Sequence, residues 1–485
     1  MKIIILGAGR VGQSVADSLV SERNDITVID TDAARLRDLE SRFDLRGVVG
    51  NGIEPSVLAE AGAEDTDLLI ACAAQDETNL VCCKIAQLLF NIPKRVARVR
   101  STGFAMDERL TGPDGFAVDR IICPEESLTR YIGKLIDYPE AMQVREFAGG
   151  RACLVSVRAR VGAPMVGHTI GALRESAPDM AMRVVAIYRR FPDEPDRFVA
   201  CDGRTRIDPG DEVFVLAAHE HIANVLGALH RPQAQPSQPV RRIMIAGGGR
   251  VGLRLARQLG QSSGGRFHIK IIEDHADRCV ELASALPSDV LVLQGDTTDE
   301  DLLIDEGIEE VDLFLALTDD DEDNIMSSLL AKRLGARRVL ALINRRSYAD
   351  LMHGTQIDIA LSPAQAMLGE LLAYVRQGDV QAVHSLRRGV AEALEIVARG
   401  DRKSSRVIGR KVSELQLPRD VHMGLIVRGL PESPDTPPDD LREPEVIIPR
   451  SSTVIESNDH VVFFLPHKRL VRDVEKLFRV SATFF

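Results

Sequence analysis

Residues 1–12 read MKIIILGAGRVG, and residues 241–252 read RRIMIAGGGRVG. In each, an aliphatic run (Ile3 to Leu6, Ile243 to Ala246) meets a GxGxxG turn and then a helix-like segment. The strand, the glycines and the Arg-Val-Gly ending recur together, so the fold turns on an internal duplication.

The duplication extends well past the glycines. DITVID (25–30) returns as HIKIIE (268–273), and VVGNGIEPSVLAEAG (48–62) as VLQGDTTDEDLLIDEG (292–307). Residues 65–89, DTDLLIACAAQDETNLVCCKIAQLL, return at 310–334 as EVDLFLALTDDDEDNIMSSLLAKRL. KRVARV (94–99) is matched by RRVLAL (337–342), and DRIICPEES (119–127) by DIALSPAQA (358–366). Apolar runs rich in β-branched residues, each followed by a helical pattern, predict βαβ units. The expected fold class is therefore α/β, with two Rossmann-like doubly wound parallel sheets.

After each sheet the pattern changes to short alternating strands, as in a small α+β module. FVACDGRTRIDPGDEVFVLAA (198–218) corresponds to VIIPRSSTVIESNDHVVFFLP (446–466), and in both an acidic turn leads into an apolar strand. HRPQAQPSQP (230–239) has a linker's composition, and LPESPDTPPDDLREPE (430–445) that of an exposed loop. The expected order is a nucleotide-binding lobe at 1–124, a module at 143–230, a linker at 231–239, a second lobe at 240–363 and a second module at 372–467, with a C-terminal helix to 485.

A chain of 485 residues exceeds one hydrophobic core and suggests roughly three or four domains. With 45% hydrophobic and 27% charged residues it has the composition of a soluble globular protein, and no apolar run is long enough to span a membrane. The chain enters a strand at Ile3 without the pattern of a signal or transit peptide. Cys72, Cys82, Cys83, Cys123, Cys153, Cys201 and Cys279 form an odd set without CxxC, the usage of a reducing cytosol. A net charge of −12 argues against a nucleic-acid partner, which would call for a basic stripe.

The glycine loop is the chemical signal, because it follows a strand and opens a helix. Gly7 allows the tight turn, Gly9 lets backbone approach a diphosphate, and Gly12 lets helix and strand pack. N–H groups at the positive helix end then hold the phosphates. Asp30 ends the second strand, where a carboxylate accepts hydrogen bonds from an adenosine ribose and opposes the extra phosphate of NADP. Its alternative reading is a cap for the next helix. The second copy keeps Gly247, Gly249, Gly252 and an acid, Glu273, but adds QSSGG (261–265) and has Ala341 aligned with Arg98. An arginine there could neutralise phosphate, so its loss predicts a weaker second site, or a scaffold that binds nothing.

Other chemistries lack their groups. A dehydrogenase, the main alternative, needs an acid/base beside the nicotinamide. His168, His219, His221 and His230 read as ordinary histidines near turns or surface helix, so no catalytic residue is expected. TDDDEDN (318–324) aligns with AAQDETN (73–79), where carboxylates suit a first helical turn better than a metal. No GxxxxGK[ST] occurs, and no basic recognition helix supports a DNA-binding redox repressor.

With the doubled GxGRVG, Asp30, Glu273, DETN and the small modules in view, the chain resembles the KTN NAD-binding family of Trk-type regulatory subunits, built from tandem RCK (regulator of potassium conductance) units. The resemblance spans essentially the whole chain. It implies a cytosolic regulator, peripheral on the inner membrane, that gates a membrane-embedded potassium channel or transporter subunit (TrkH/TrkG type) by NAD(H)-, ATP- or ADP-dependent conformational change. Carried over by position, Gly7, Ala8, Gly9, Arg10, Val11 and Gly12 form the phosphate loop and Asp30 the ribose acid. Ala73 and Ala74 lie under the adenosine half, Arg98 assists from the strand beyond, and Asn51 joins the cofactor-binding set. Gly247, Gly248, Gly249, Arg250, Val251 and Gly252 with Glu273 form the second set. Two departures stand out: Ala73-Ala74 replace the polar residues frequent there, and Asn51 stands where the second copy has Asp296. A ring of RCK units implies a homotetramer of two-unit chains.

Overall fold

The aliphatic run after Met1 forms β1 (Lys2–Leu6), buried from Ile3 onward, and is the centre of a six-stranded parallel sheet. Its other strands are β2 (Asp25–Asp30), β3 (Arg46–Val49), β4 (Leu68–Ala71), β5 (Lys94–Arg98) and β6 (Arg120–Ile122), in the order β3-β2-β1-β4-β5-β6. All its pairings are parallel. Every residue of β4 is buried, as expected of a strand covered by helices on both faces. The computed structural model describes residues 1–480 except 21–23, 106, 177–179, 192–195, 200, 233–237, 263–264, 353–355, 377–378, 388–389 and 432–442.

The first module is an antiparallel sheet of β7 (Ala141–Phe147), β8 (Ala152–Arg158), β9 (Met182–Arg189), β10 (Arg197–Val199) and β11 (Glu212–Ala218), in the order β10-β9-β11-β8-β7. The second half repeats the plan. A six-stranded sheet of β12 (Arg242–Ala246), β13 (His268–Glu273), β14 (Val290–Gln294), β15 (Leu313–Ala316), β16 (Val339–Leu342) and β17 (Ile359–Leu361) has the order β14-β13-β12-β15-β16-β17. It is followed by an antiparallel sheet of β18 (Val380–Leu386), β19 (Ala391–Val397), β20 (His422–Arg428), β21 (Glu445–Ile447) and β22 (His460–Leu465), in the order β18-β19-β22-β20-β21. The α/β class and the small sheet after each Rossmann-like sheet are as expected.

The halves do not fold side by side as independent pairs. One compact unit (Met1–Thr129, Met244–Gly264, Ile269–Leu371) gathers the two parallel sheets, and the other gathers the two antiparallel sheets. In the first unit, Ser127 Oγ donates to Glu370 Oε1 at 2.9 Å and Arg254 Nη1 lies 3.3 Å from Glu126 Oε2, so each half contributes to the join. Each parallel sheet nevertheless has its own apolar core. In the second unit, one core takes Phe147, Leu154, Phe214 and Leu216 from the first half with Leu386, Leu425, Val462 and Phe464 from the second. Polar contacts cross the same seam: Arg183 Nη1 donates to Met423 O at 2.6 Å, and Arg387 pairs with Glu212 at 2.9 Å. Parts of the linker (233–237), of the Pro/Asp-rich loop (432–442) and of the 261–265 insertion lie outside the described residues. The C-terminal helix is Val471–Phe478, shorter than the expected run to 485, and 481–485 also lie outside the description.

Candidate functional site

In both parallel sheets the strand order reverses between β1 and β4, or between β12 and β15, and such a switch point opens a crevice at the carboxyl ends of the strands. The glycine loops lie there. Gly7 has φ +102° and donates its N–H to Ile29 O at 2.8 Å; a Cβ on it would stand 2.9 Å from Ala73 N. Gly12, in the helix Arg10–Val20, leaves no room at all: a Cβ there would lie 1.8 Å from Gly7 O. At Gly9 a Cβ would meet nothing within 4 Å. Two glycines thus serve the chain's own packing. The third faces open space beside a helix start, where the first N–H groups have no partner within the helix. Ala8 and Val11 are buried and Arg10 is exposed. The second loop repeats this: Gly247 has φ +102°, a Cβ on Gly252 would lie 2.1 Å from Gly247 O, and Gly249 again faces open space. There Gly248 is confined as well, with Leu282 Cδ1 2.2 Å from a built Cβ, while Val251 is buried and Arg250 exposed.

The acids do something the sequence reading did not foresee. Asp30 Oδ2 accepts the N–H of Ala8 at 2.6 Å and its Oδ1 accepts the N–H of Asp32 at 2.8 Å. Glu273 does the same in the second copy, taking the N–H of Gly248 at 2.9 Å and of His275 at 3.1 Å. Each acid therefore tethers its own glycine loop to the end of the adjacent strand. A carboxylate has about four lone-pair sites, so acceptor capacity remains for a ligand hydroxyl. The helix cap is Asp32, which accepts from the N–H groups of Ala34 and Arg35, and these bonds hold its carboxyl below the ordinary range.

DETN and DEDN carry a clip that the sequence showed only as a repeated turn. Asn79, fully buried, accepts from Ala73 N at 2.8 Å and donates to Ala73 O at 3.2 Å and Arg98 O at 2.9 Å. Asn324 makes the same three bonds to Thr318 N, Thr318 O and Leu342 O, each at 2.9 Å. Three residues earlier, Asp76 accepts the N–H groups of Arg100 and Ser101 at 2.9 Å, and Asp321 those of Asn344 and Arg345 at 2.9 and 2.8 Å. The D-x-x-N spacing puts both side chains on one edge of the first helical turn, where they fix the loops beyond the neighbouring strands. As expected, Asp320 caps the helix Asp321–Arg333.

Arg98 differs from its expected role. Its guanidinium reaches Glu125 Oε1 at 3.3 Å, with both side chains largely buried, so its charge already has a partner. Its counterpart is Leu342, not Ala341: Arg98 pairs with Ile122 and Leu342 with Leu361 at matching places in the two sheets. The one-residue offset arises because the first copy has one residue more between Asn79 and this strand than the second has after Asn324. Ala73 is half-buried at the end of β4 and Ala74 is exposed; in the second copy Thr318 stands for Ala73 and donates its hydroxyl to Asn324 Oδ1 at 2.8 Å. Asn51 accepts from Ile53 N at 3.3 Å, a turn that Asp296 repeats with Thr298 N at 2.8 Å. Between the strands, Cys72 is buried and its thiol is pushed up to about 12 by burial, with Arg98 pulling it down and Asp30 pushing it up.

The two crevices differ most in charge. Thr31, Asn51, Gln75 and Thr78 around the first correspond to Asp274, Asp296, Asp320 and Asp323 around the second. These carboxylates feel one another: Asp323 is raised above its ordinary value first by burial and then by Asp320, Asp296, Glu322 and Asp274. His275 offsets part of this, its imidazole drawn toward the charged form by Asp274.

Known proteins resemble the chain over its whole length. The TrkA-N domain model matches residues 3–124 and 243–363, and the TrkA-C domain model matches 154–229. The Trk system potassium uptake protein TrkA of Halomonas elongata is 47% identical over 485 residues, covering all of both chains. That of Vibrio alginolyticus is 46% identical with the same coverage, and that of Haemophilus influenzae 43%. Among solved structures, the GsuK RCK domain aligns with a TM-score of 0.57 at 17% identity, over 98% of this chain and 94% of that one. The GsuK channel bound to NAD aligns equally well over 98% of this chain and 78% of that one, and at this identity both likenesses speak for the fold alone. Two TrkA-N segments and full-length relatives of this similarity have one reading: the chain belongs to the TrkA family of Trk system potassium uptake proteins.

Proposed function

We propose that the chain is the nucleotide-responsive regulatory subunit of a Trk-type potassium uptake system, and not an enzyme. NAD(H) binds in the first crevice, its diphosphate on the amides of Gly9 to Gly12 and an adenosine ribose on Asp30, with Ala73 and Ala74 under the adenosine half. ATP and ADP compete for the same loop, and NADP is disfavoured by the Asp30 carboxylate. The second crevice, tethered by Glu273 but ringed by Asp274, Asp296, Asp320 and Asp323, takes the same nucleotides more weakly.

Closure around the ligand acts on a membrane-embedded potassium channel or transporter subunit of TrkH/TrkG type, at the cytoplasmic face. A ligand can shift a conformational equilibrium only by its differential affinity for the two states. Four chains supply the ring. No helix among the described residues is long and apolar enough to cross a membrane, so the contact is peripheral in this reading. Residues 1–124 and 240–363 are the two N-lobes, and 143–230 and 372–467 the two C-lobes.

The observation that carries the reading is the loop held by an acid at the switch point, with Gly9 facing open space. The test is calorimetric titration of the full-length protein with NADH, NADPH, ATP and ADP, beside Asp30→Ala. NADH should bind the wild type, and the variant at least about tenfold more weakly, a loss near 1.4 kcal/mol. Equal affinity in both proteins would overturn the site. Turnover of NADH with carbonyl compounds would overturn the regulatory reading.

A further inference from the structure

His219, an ordinary exposed histidine by sequence, does not stand alone. Glu146 and Cys153 are directly opposite each other in the antiparallel ladder of β7 and β8, which puts their side chains on one face. His219 follows β11, whose Ala218 pairs with Ala152, and its own N–H donates to Arg151 O at 2.9 Å. One carboxylate oxygen, the Cys153 sulfur and a His219 ring nitrogen thus all lie within 4.8 Å of one another.

From this juxtaposition we propose that Glu146, Cys153 and His219 form a binding site for a borderline-soft divalent transition metal of the zinc class. The donor set is sulfur, imidazole and carboxylate, which suits Zn(II) or Co(II) and not a hard ion such as magnesium. The spacing agrees: Cys153 Sγ and His219 Nδ1 are 3.7 Å apart, against about 3.5 Å for S and N on one tetrahedral zinc. With Nδ1 on the metal, the proton sits on Nε2, which lies 3.5 Å from the Tyr138 hydroxyl. An outer partner of that kind orients a ligating histidine. Three protein donors leave a fourth position for water.

Two groups oppose the ion. Lys134 Nζ holds Glu146 Oε1 at 2.6 Å and so competes with the ion for that carboxylate. Cys153 is buried, and its thiol is pushed up to about 12 by burial and then by Glu146. Binding therefore releases one proton from the thiol to solvent as the metal–sulfur bond forms, and affinity rises with pH. Two of the three donors are not repeated in the second module, where the matching pair in the ladder is Ser385 and Glu392, and Glu392 is paired with Arg376 at 2.8 Å. The site belongs to the first module.

Titration of the intact, metal-stripped protein with Co(II) tests this, read by thiolate-to-cobalt charge-transfer absorption and by displacement with Zn(II). One ion per chain is expected, with the intense visible bands of four-coordinate cobalt. Cys153→Ser should abolish the charge-transfer band. His219→Ala, at an exposed position that unfolding does not confound, should weaken binding by at least about a hundredfold, and Tyr138→Phe by about tenfold. Cys201→Ser, at a cysteine outside the cluster, is the control and should change nothing. No charge-transfer band in the wild type, or a band that survives Cys153→Ser or His219→Ala unchanged, overturns the proposal.

Discussion

Gly12 and Gly9 are three residues apart in one loop, yet substitutions at the two should fail in different ways. At Gly12 an added Cβ would lie 1.8 Å from Gly7 O, a backbone atom with no rotamer to change. Reaching a normal carbon–oxygen contact requires the helix Arg10–Val20 to retreat by about 1.5 Å, opening its packing on β1. Overpacking of this kind costs about 1–3 kcal/mol, and alanine's better helix propensity returns about 1 kcal/mol. Because the obstacle is backbone, the upper part of the range applies, and Gly12→Ala should lose about 2 kcal/mol. That corresponds to roughly 4–8 °C in Tm. At Gly9 a Cβ meets nothing, so Gly9→Val should cost less than about 1 kcal/mol. Its branched side chain instead fills the space a diphosphate would occupy, and NADH should bind at least about tenfold more weakly. Thermal unfolding and calorimetric titration of both variants separate the effects. A Gly12→Ala protein that melts with the wild type, or a Gly9→Val protein that titrates like it, would refute the assignment of these glycines.

The clip makes a second stability prediction. Asn79→Ala removes three bonds from a fully buried position and strands Ala73 N, so denaturant unfolding should show a loss of about 2–4 kcal/mol; Asn324→Ala should lose a similar amount. For the second crevice, the combined replacement Asp274→Thr, Asp296→Asn, Asp320→Gln and Asp323→Thr installs the neutral residues of the first. ADP affinity there should rise by at least about tenfold and its dependence on salt should fall, measured with the first site disabled by Gly9→Val. No change in either quantity would show that charge does not set the difference between the crevices.

The strand runs, the glycine spacing and the acids at 30 and 273 were legible because each is a local pattern with a fixed period or offset. The same patterns could not show that Asp30 and Glu273 hold their loops, since Ala8 and Gly248 meet them only after the β1–β2 and β12–β13 ladders form. The Asn79 and Asn324 clips had a signal, D-x-x-N at matching places in both copies, but their acceptors lie on the next strand. Arg98 looked available because its partner Glu125 is 27 residues away. Cys153 and His219 are likewise separated by 66 residues and joined only by the strand order of the first module. How the two halves share their units was hidden for a related reason: a pattern along one strand says which face is apolar, not whose side chains cover it.

That shared apolar layer between the antiparallel sheets has a consequence for how the protein responds to dilution. Phe147 and Phe214 of one half are covered by the other half of the same chain, so the meeting of the two modules is a tethered, first-order event. A half expressed alone would present those rings to another molecule, and its integrity would vary with its concentration.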